Sequence, residues 1–147
     1  MKMTNEEYRA YAEKHMPRSH SRRDAFRAFL VGGGICALGQ GFIELYLYLG
    51  LEKDTASAAC SVTLVFIGAL LTGLGIYDKL AKFAGAGTLV PITGFSNSVV
   101  APALEFKTEG MVLGTAAKMF IISGPVIVFG TSASVVYGII LYITGAY

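Results

Sequence analysis

A chain of 147 residues with 54% hydrophobic and 15% charged residues is too apolar for an ordinary soluble domain, whose charged share runs near about 25%. A mean hydropathy of +0.58 and 18 glycines without a collagen-like period fit helices that approach one another in lipid over small residues. The net charge is +2, and the basic residues cluster only in a tail beside the first apolar run, where anionic lipid is a simpler partner than nucleic acid; at about 150 residues per domain the chain is one domain.

Residues 1–24 read as a polar tail, and residues 25–147 as a transmembrane domain. Within the tail, Thr4 to Met16 reads as a short amphipathic helix: Thr4 and Glu7 form a capping box, and Tyr8, Tyr11, Ala12 and His15 recur at helical spacing. Pro17 ends it. This helix lies on the membrane surface, docks on a partner, or is a loosely ordered tail. The following apolar run starts too late and is too long for a signal peptide, so it reads as an anchor.

The first span covers about Ala25 to Gly50, enough for the roughly 20 residues a bilayer requires. Gly33, Ala37 and Gly41, at four-residue spacing, form a packing face. Gln40 and Glu44 are also four apart. Glu44 is either interfacial or faces a cavity or partner, because ionisable groups inside spans usually face protein or water. A polar turn at Glu52, Lys53 and Asp54 precedes a second span, about Thr55 to Tyr77, with Gly68, Thr72, Gly73 and Gly75 available to pack against the first helix. Seven basic residues precede Ala28, namely Lys2, Arg9, Lys14, Arg18, Arg22, Arg23 and Arg27. The Glu52–Asp54 turn has only Lys53, so the positive-inside rule puts the N-terminus in the cytoplasm.

From Phe83 to Leu104 the pattern changes. Gly85 and Gly87 loosen the entry, Pro91 and Pro102 each lack an amide donor, and Thr93, Gly94, Ser96, Asn97 and Ser98 gather polar groups. Irregular backbone at membrane depth survives only where protein or water satisfies it. The segment therefore reads either as two short helical halves around Thr93–Ser98, with backbone groups able to meet a solute, or as a glycine-tolerant span bonded to its neighbours. After a charged turn at Glu105, Lys107 and Glu109, the apolar stretch Gly110–Tyr147 would extend about 55 Å as one helix. A break at Ser123, Gly124 and Pro125 is expected, leaving a short segment and a final span of about Pro125 to Thr144. Lys118 in the short segment either pairs with Glu105 or Glu109 or attracts an anion.

The fold class expected is an all-α integral membrane protein: a polytopic helical bundle with three long spans and a broken or re-entrant glycine/proline-rich central region. Candidate pore or solute contacts are Thr93, Gly94, Ser96, Asn97, Lys118, Glu44 and Gln40; helix-packing residues are Gly33, Ala37, Gly41, Gly68 and Gly73. No nucleophile–base constellation, phosphate-binding lysine motif or metal-ligand spacing is visible, so neither an enzyme nor a cofactor or metal site is expected. Cys36 and Cys60, inside apolar runs, read as small buried hydrophobes.

Five runs in fixed order, VGGGICALGQG (Val31–Gly41), LTGLGIYD (Leu71–Asp78), FAGAG (Phe83–Gly87), PITGFSN (Pro91–Asn97) and ALE (Ala103–Glu105), together cover most of Ala28–Phe129. In combination they resemble the stage V sporulation protein AC family of spore-forming bacteria. The resemblance implies an integral protein of the forespore or inner spore membrane, in machinery that moves dipicolinic acid, as its calcium chelate, into the forespore and out on germination. It implies two partners: the related AE b-type membrane subunit and the soluble AD subunit. A non-conducting scaffold and a tension-gated mechanosensitive channel are the alternatives. No ligand residues carry over from the family.

Overall fold

The structure, a computed structural model, describes residues 4–15 and 20–145. In chain order the helices are α1 (Asn5–His15), α2 (Ser21–Tyr48), α3 (Lys53–Gly73), α4 (Tyr77–Ala84), α5 (Ala86–Leu89), α6 (Ile92–Glu105) and α7 (Ala117–Thr144). A 3-10 turn at Lys107–Glu109 and a wide π-helical turn at Met111–Ala116 join α6 to α7. Lipid offers backbone groups no partners, so long apolar runs close their own hydrogen bonds as helices. Among the described residues, three helices are long and apolar enough to cross a membrane: Ser21–Tyr48, Lys53–Gly73 and Met111–Thr144.

The capping box at α1 forms, with the Thr4 amide donating to Glu7 Oε2 at 2.9 Å and the Glu7 amide to Thr4 Oγ1 at 3.4 Å. The Thr4 backbone bond holds the Glu7 carboxyl below its ordinary pKa. Tyr8 and Tyr11 are exposed; the expected stop at Pro17 lies outside the described residues. The first turn of α2 reaches back to Ser21, before the expected start of the span.

Both ends of the α2–α3 hairpin close through a glycine in the left-handed region. At Gly50, φ is 89°, the Leu51 amide reaches the Tyr46 carbonyl at 3.1 Å and the Gly50 amide reaches Leu47 at 3.0 Å. The same pattern recurs at Gly75, φ 68°, with Ile76 bonded to Leu71 and Gly75 to Thr72. These paired bonds satisfy the last carbonyls of each helix. The second span therefore ends at Gly73, not at Tyr77. Cys60 Sγ to the Gly39 carbonyl at 3.3 Å and Tyr46 Oη beside Thr63 Oγ1 at 2.6 Å join α2 to α3. Cys60 is buried, as expected; Cys36 is exposed, contrary to the reading of both as buried.

The expected irregularity at Thr93–Ser98 lies earlier in the chain. Gly85, φ 52°, separates α4 from α5, and Pro91, with ψ 158°, precedes α6. Thr93–Ser98 is helical, because once Pro91 has broken the chain its missing amide falls at a helix start, where it costs no bond. Gly87 lies directly against the backbone of Ala28, and Gly94 against the carbonyls of Thr88 and Leu89. Each admits no side chain.

The packing glycines also differ from expectation. Gly32 meets Gly87, and Gly39 meets Leu64, whereas among the described residues no other element lies within 4 Å of a Cβ placed at Gly33 or Gly41; Ala37 is exposed. Gly68 packs on Thr93 and Ser96 of α6 rather than on α2, and Gly73 faces open space. Small residues permit close approach, but which helix arrives is decided by the tertiary fold.

No break occurs at Ser123–Pro125, where α7 runs through Pro125. Proline removes one helical hydrogen bond, and unwinding would strand several more in lipid. The break falls instead at Gly110, φ 99°, followed by the π turn in which the Thr115 amide reaches Gly110 at 2.9 Å. Gly114 packs there against the Phe106 carbonyl and Glu109. The Met111–Thr144 helix of 34 residues is about 51 Å long, so tilt or protrusion absorbs its excess over the bilayer core.

Two outcomes follow from this packing. Gly94→Ala, whose Cβ must displace backbone, is expected to destabilise by about 1–3 kcal/mol, and Gly33→Ala to be neutral or stabilising, measured by thermal melting in detergent. Cysteines at positions 53 and 79, in a background without Cys36 and Cys60, are expected to label from opposite membrane faces; labelling from one face would refute the hairpin.

Candidate functional site

Two faces of α6 carry the central polar residues. Thr93, Ser96 and Asn97 turn toward α3 and α4, while Gly94, Ser98, Ala101 and Glu105, at spacings of four, three and four residues, form a second stripe. That stripe is one side of a cleft of about 420 Å³, walled by α4, α5 and the first half of α7, with Leu89, Phe95, Ile122 and Val126 as apolar lining. Asn97 sits at the edge and belongs to both faces.

On the packed side, hydroxyls find backbone carbonyls. Ser96 Oγ donates to Val65 at 2.8 Å across the α3–α6 crossing, where a Cβ on Gly68 would stand only 3.0 Å from the Thr93 carbonyl. Thr72 Oγ1 lies 2.7 Å from the Gly68 carbonyl and 2.9 Å from Asn97 Oδ1. One half of the Asn97 amide is thus engaged by Thr72, and the other half is left for the cleft. The backbone of the same stretch is self-satisfied, the Gly94 amide bonding to Pro91 at 2.8 Å. Gly94 therefore serves close approach of α5 and offers no stranded donor.

At the inner end of the cleft, Tyr77 is 2% exposed. Its hydroxyl donates to the Thr88 carbonyl at 2.8 Å and lies 3.1 Å from Thr93 Oγ1. Thr88 Oγ1 in turn donates to Gly85 at 2.9 Å. This cluster fixes α4, α5 and the start of α6 relative to one another. Pro102 cannot donate to the Ser98 carbonyl four residues back, and both residues line the cleft. The site therefore combines hydroxyls, an amide and one exposed carboxylate, Glu105, on an apolar wall, the composition of a small-molecule site.

Of the residues expected at a solute path, Gly94 and Asn97 line this cleft, and Thr93 and Ser96 lie behind it. Lys118 does not pair with Glu105 or Glu109. Its ammonium sits 4.2 Å from the centre of the Phe106 ring, an attraction between a cation and the ring face. Gln40 and Glu44 lie away from the cleft on the outer face of α2, bonded to each other at 2.8 Å. Sequence reasoning missed Tyr77, Thr88, Ser98 and Glu105 as site residues. For the α6 pair a signal existed, since Gly94, Ser98, Ala101 and Glu105 fall on one helical face.

A family model described as SpoVAC/SpoVAEB sporulation membrane protein matches residues 24–140. The chain is also 46% identical over 143 residues to stage V sporulation protein AC of Bacillus subtilis (strain 168), covering 95% of each chain. No solved structure matches it. The family match spans the α2–α3 hairpin, the glycine- and proline-broken centre and most of α7, and the chain belongs to the SpoVAC/SpoVAEB family of sporulation membrane proteins.

Proposed function

We propose that this chain is a membrane subunit of the channel or transporter that moves dipicolinic acid, as its calcium chelate, across the inner spore membrane during sporulation and germination. The observation that carries the reading is the cleft of about 420 Å³ beside α6, polar along Ser98, Asn97 and Glu105 and apolar elsewhere. A flat aromatic dicarboxylate with a bound cation needs such a surface: apolar walls for the ring, donors for the carboxylates, an acid for the metal. Membership of a sporulation membrane family supports the setting. The related AE b-type membrane subunit and the soluble AD subunit are the proposed partners. The basic residues Arg22, Arg23 and Arg27 share an end of the hairpin with Lys79 and Lys82, which supports a cytoplasmic N-terminus.

A scaffold role draws on a different observation, the inward bonds of Thr93 and Ser96 to this chain's own helices. Reconstitution with and without partners separates the two. Dipicolinate flux through this chain alone excludes the scaffold role.

Asn97→Leu removes the amide from the cleft and leaves Thr72 with its intrahelical bond, so assembly should survive. Spores carrying Asn97→Leu are expected to hold several-fold less dipicolinate at normal protein level; normal loading and release would reject the reading. Lys118→Met is expected to lower flux without loss of insertion if the ammonium attracts the solute, and full flux would confine Lys118 to its contact with Phe106, worth about 0.5–1 kcal/mol.

A further inference from the structure

The polar side chains lining the cleft differ in what they have left to offer a ligand. Ser98 Oγ donates to the Phe95 carbonyl at 2.7 Å, Tyr77 Oη to Thr88 at 2.8 Å, and Thr88 Oγ1 to Gly85 at 2.9 Å. A hydroxyl has one proton, so each of these three presents only lone pairs to the cleft. The Ser98 carbonyl, to which Pro102 can give no amide, and the Glu105 carboxylate are acceptors too. Among the described lining side chains, Asn97 therefore holds the uncommitted protons, the two on Nδ2.

Which end of that amide faces the cleft is decided from behind, by Thr72 of α3, which is not among the lining residues. Its hydroxyl lies 2.9 Å from Asn97 Oδ1 and 2.7 Å from the Gly68 carbonyl. One proton shared between these two acceptors ties Oδ1 to α3 and leaves Nδ2 for the cleft. With the amide reversed, Oδ1 would join the lone pairs of Ser98 and the charge of Glu105, and like charges repel strongly in a partly dry site. A cleft of acceptors alone turns a carboxylate away; one with Nδ2 turned inward receives it.

We propose that Thr72 is a positioning residue that sets the cleft's preference for a carboxylate ligand. By holding Asn97 Oδ1 it aims the amide protons at the ligand, which it does not itself touch. This role rests on the proposed function, in which that ligand is dipicolinate, and adds to it the group that fixes the donor's direction.

The test compares spores carrying full-length variants in place of the native chain, scored at matched protein level for dipicolinate content and rate of release. Thr72→Val keeps the branched shape without the hydroxyl and is expected to lower both several-fold, by about as much as Asn97→Leu. Thr72→Ser, which keeps the hydroxyl, is expected to retain most of the passage; a role in packing alone would not be rescued this way. The double variant Thr72→Val with Asn97→Leu is expected to be no worse than Asn97→Leu, because residues that act as one unit do not add. Asn97→Asp keeps an oxygen against Thr72 and brings no proton to the cleft. It is expected to match Asn97→Leu, and it decides the result if Thr72→Val is poorly made. Normal passage by Thr72→Val beside an impaired Asn97→Leu overturns the proposal and leaves the proposed function standing. So do losses that multiply in the double variant, or normal passage by Asn97→Asp. Normal passage by Asn97→Leu overturns both.

Discussion

A backbone amide or carbonyl inside a bilayer must find its partner in the protein, and this requirement governs each irregular point of the chain. The hairpin ends at Gly50 and Gly75 close their last carbonyls with paired bonds from the following amides. The three short interruptions at Gly85, Pro91 and Gly110 are each pressed against another backbone: Gly87 on Ala28, Gly94 on Thr88 and Leu89, Gly114 on Phe106. A helix broken in lipid is stable only where such contacts exclude lipid from the break. In each case a glycine two to four residues on makes the close approach, and in two of the three the break itself is a glycine, Gly85 or Gly110, with Pro91 as the third. Side-chain hydroxyls complete the satisfaction, as Ser96 does for Val65 and Tyr77 for Thr88.

How far this was legible depends on whether the constraint is local. Span number, the polar hairpin turn and the capping box of Thr4 and Glu7 follow from patterns a few residues wide, and all three are present. The end of α3 was legible too, since Gly75 two residues after Gly73 is a helix stop, but the apolar run to Tyr77 outweighed it. Register between helices was not legible. Gly33, Ala37 and Gly41 form as regular a stripe as any, yet Gly32 and Gly39 make the contacts, because the partner's position is a property of the whole bundle. Pro125 misled for a related reason: a proline signals a break where water can take over the lost bonds, and in an apolar helix the continuous ladder is the cheaper state.

The candidate site was half visible. The polar composition of Thr93–Ser98 pointed to the right helix, and of its two readings the helix bonded to its neighbours is the one observed, whereas two short halves would have made the backbone the active element. As a helix it divides its residues by face, and the division separates structural from chemical roles. Thr93 and Ser96, at 5% and 3% exposure, hold α6 to its neighbours. Asn97, Ser98 and Glu105 remain for whatever enters the cleft.

Glu105 bears on what that occupant can be. A bare dianion in a cleft with apolar walls would meet an exposed carboxylate and no ammonium, for Lys118 is turned to Phe106. Like charges close together in a partly dry site repel more strongly than in water. A dicarboxylate that arrives with its divalent cation carries no net charge, and the cation's open positions favour oxygen ligands. Under the proposed function the same carboxylate then changes from an obstacle to a contact, while Asn97 and Ser98 meet the organic ligand. Under that proposal, the chemistry of the cleft favours the chelate over the free acid anion as its occupant.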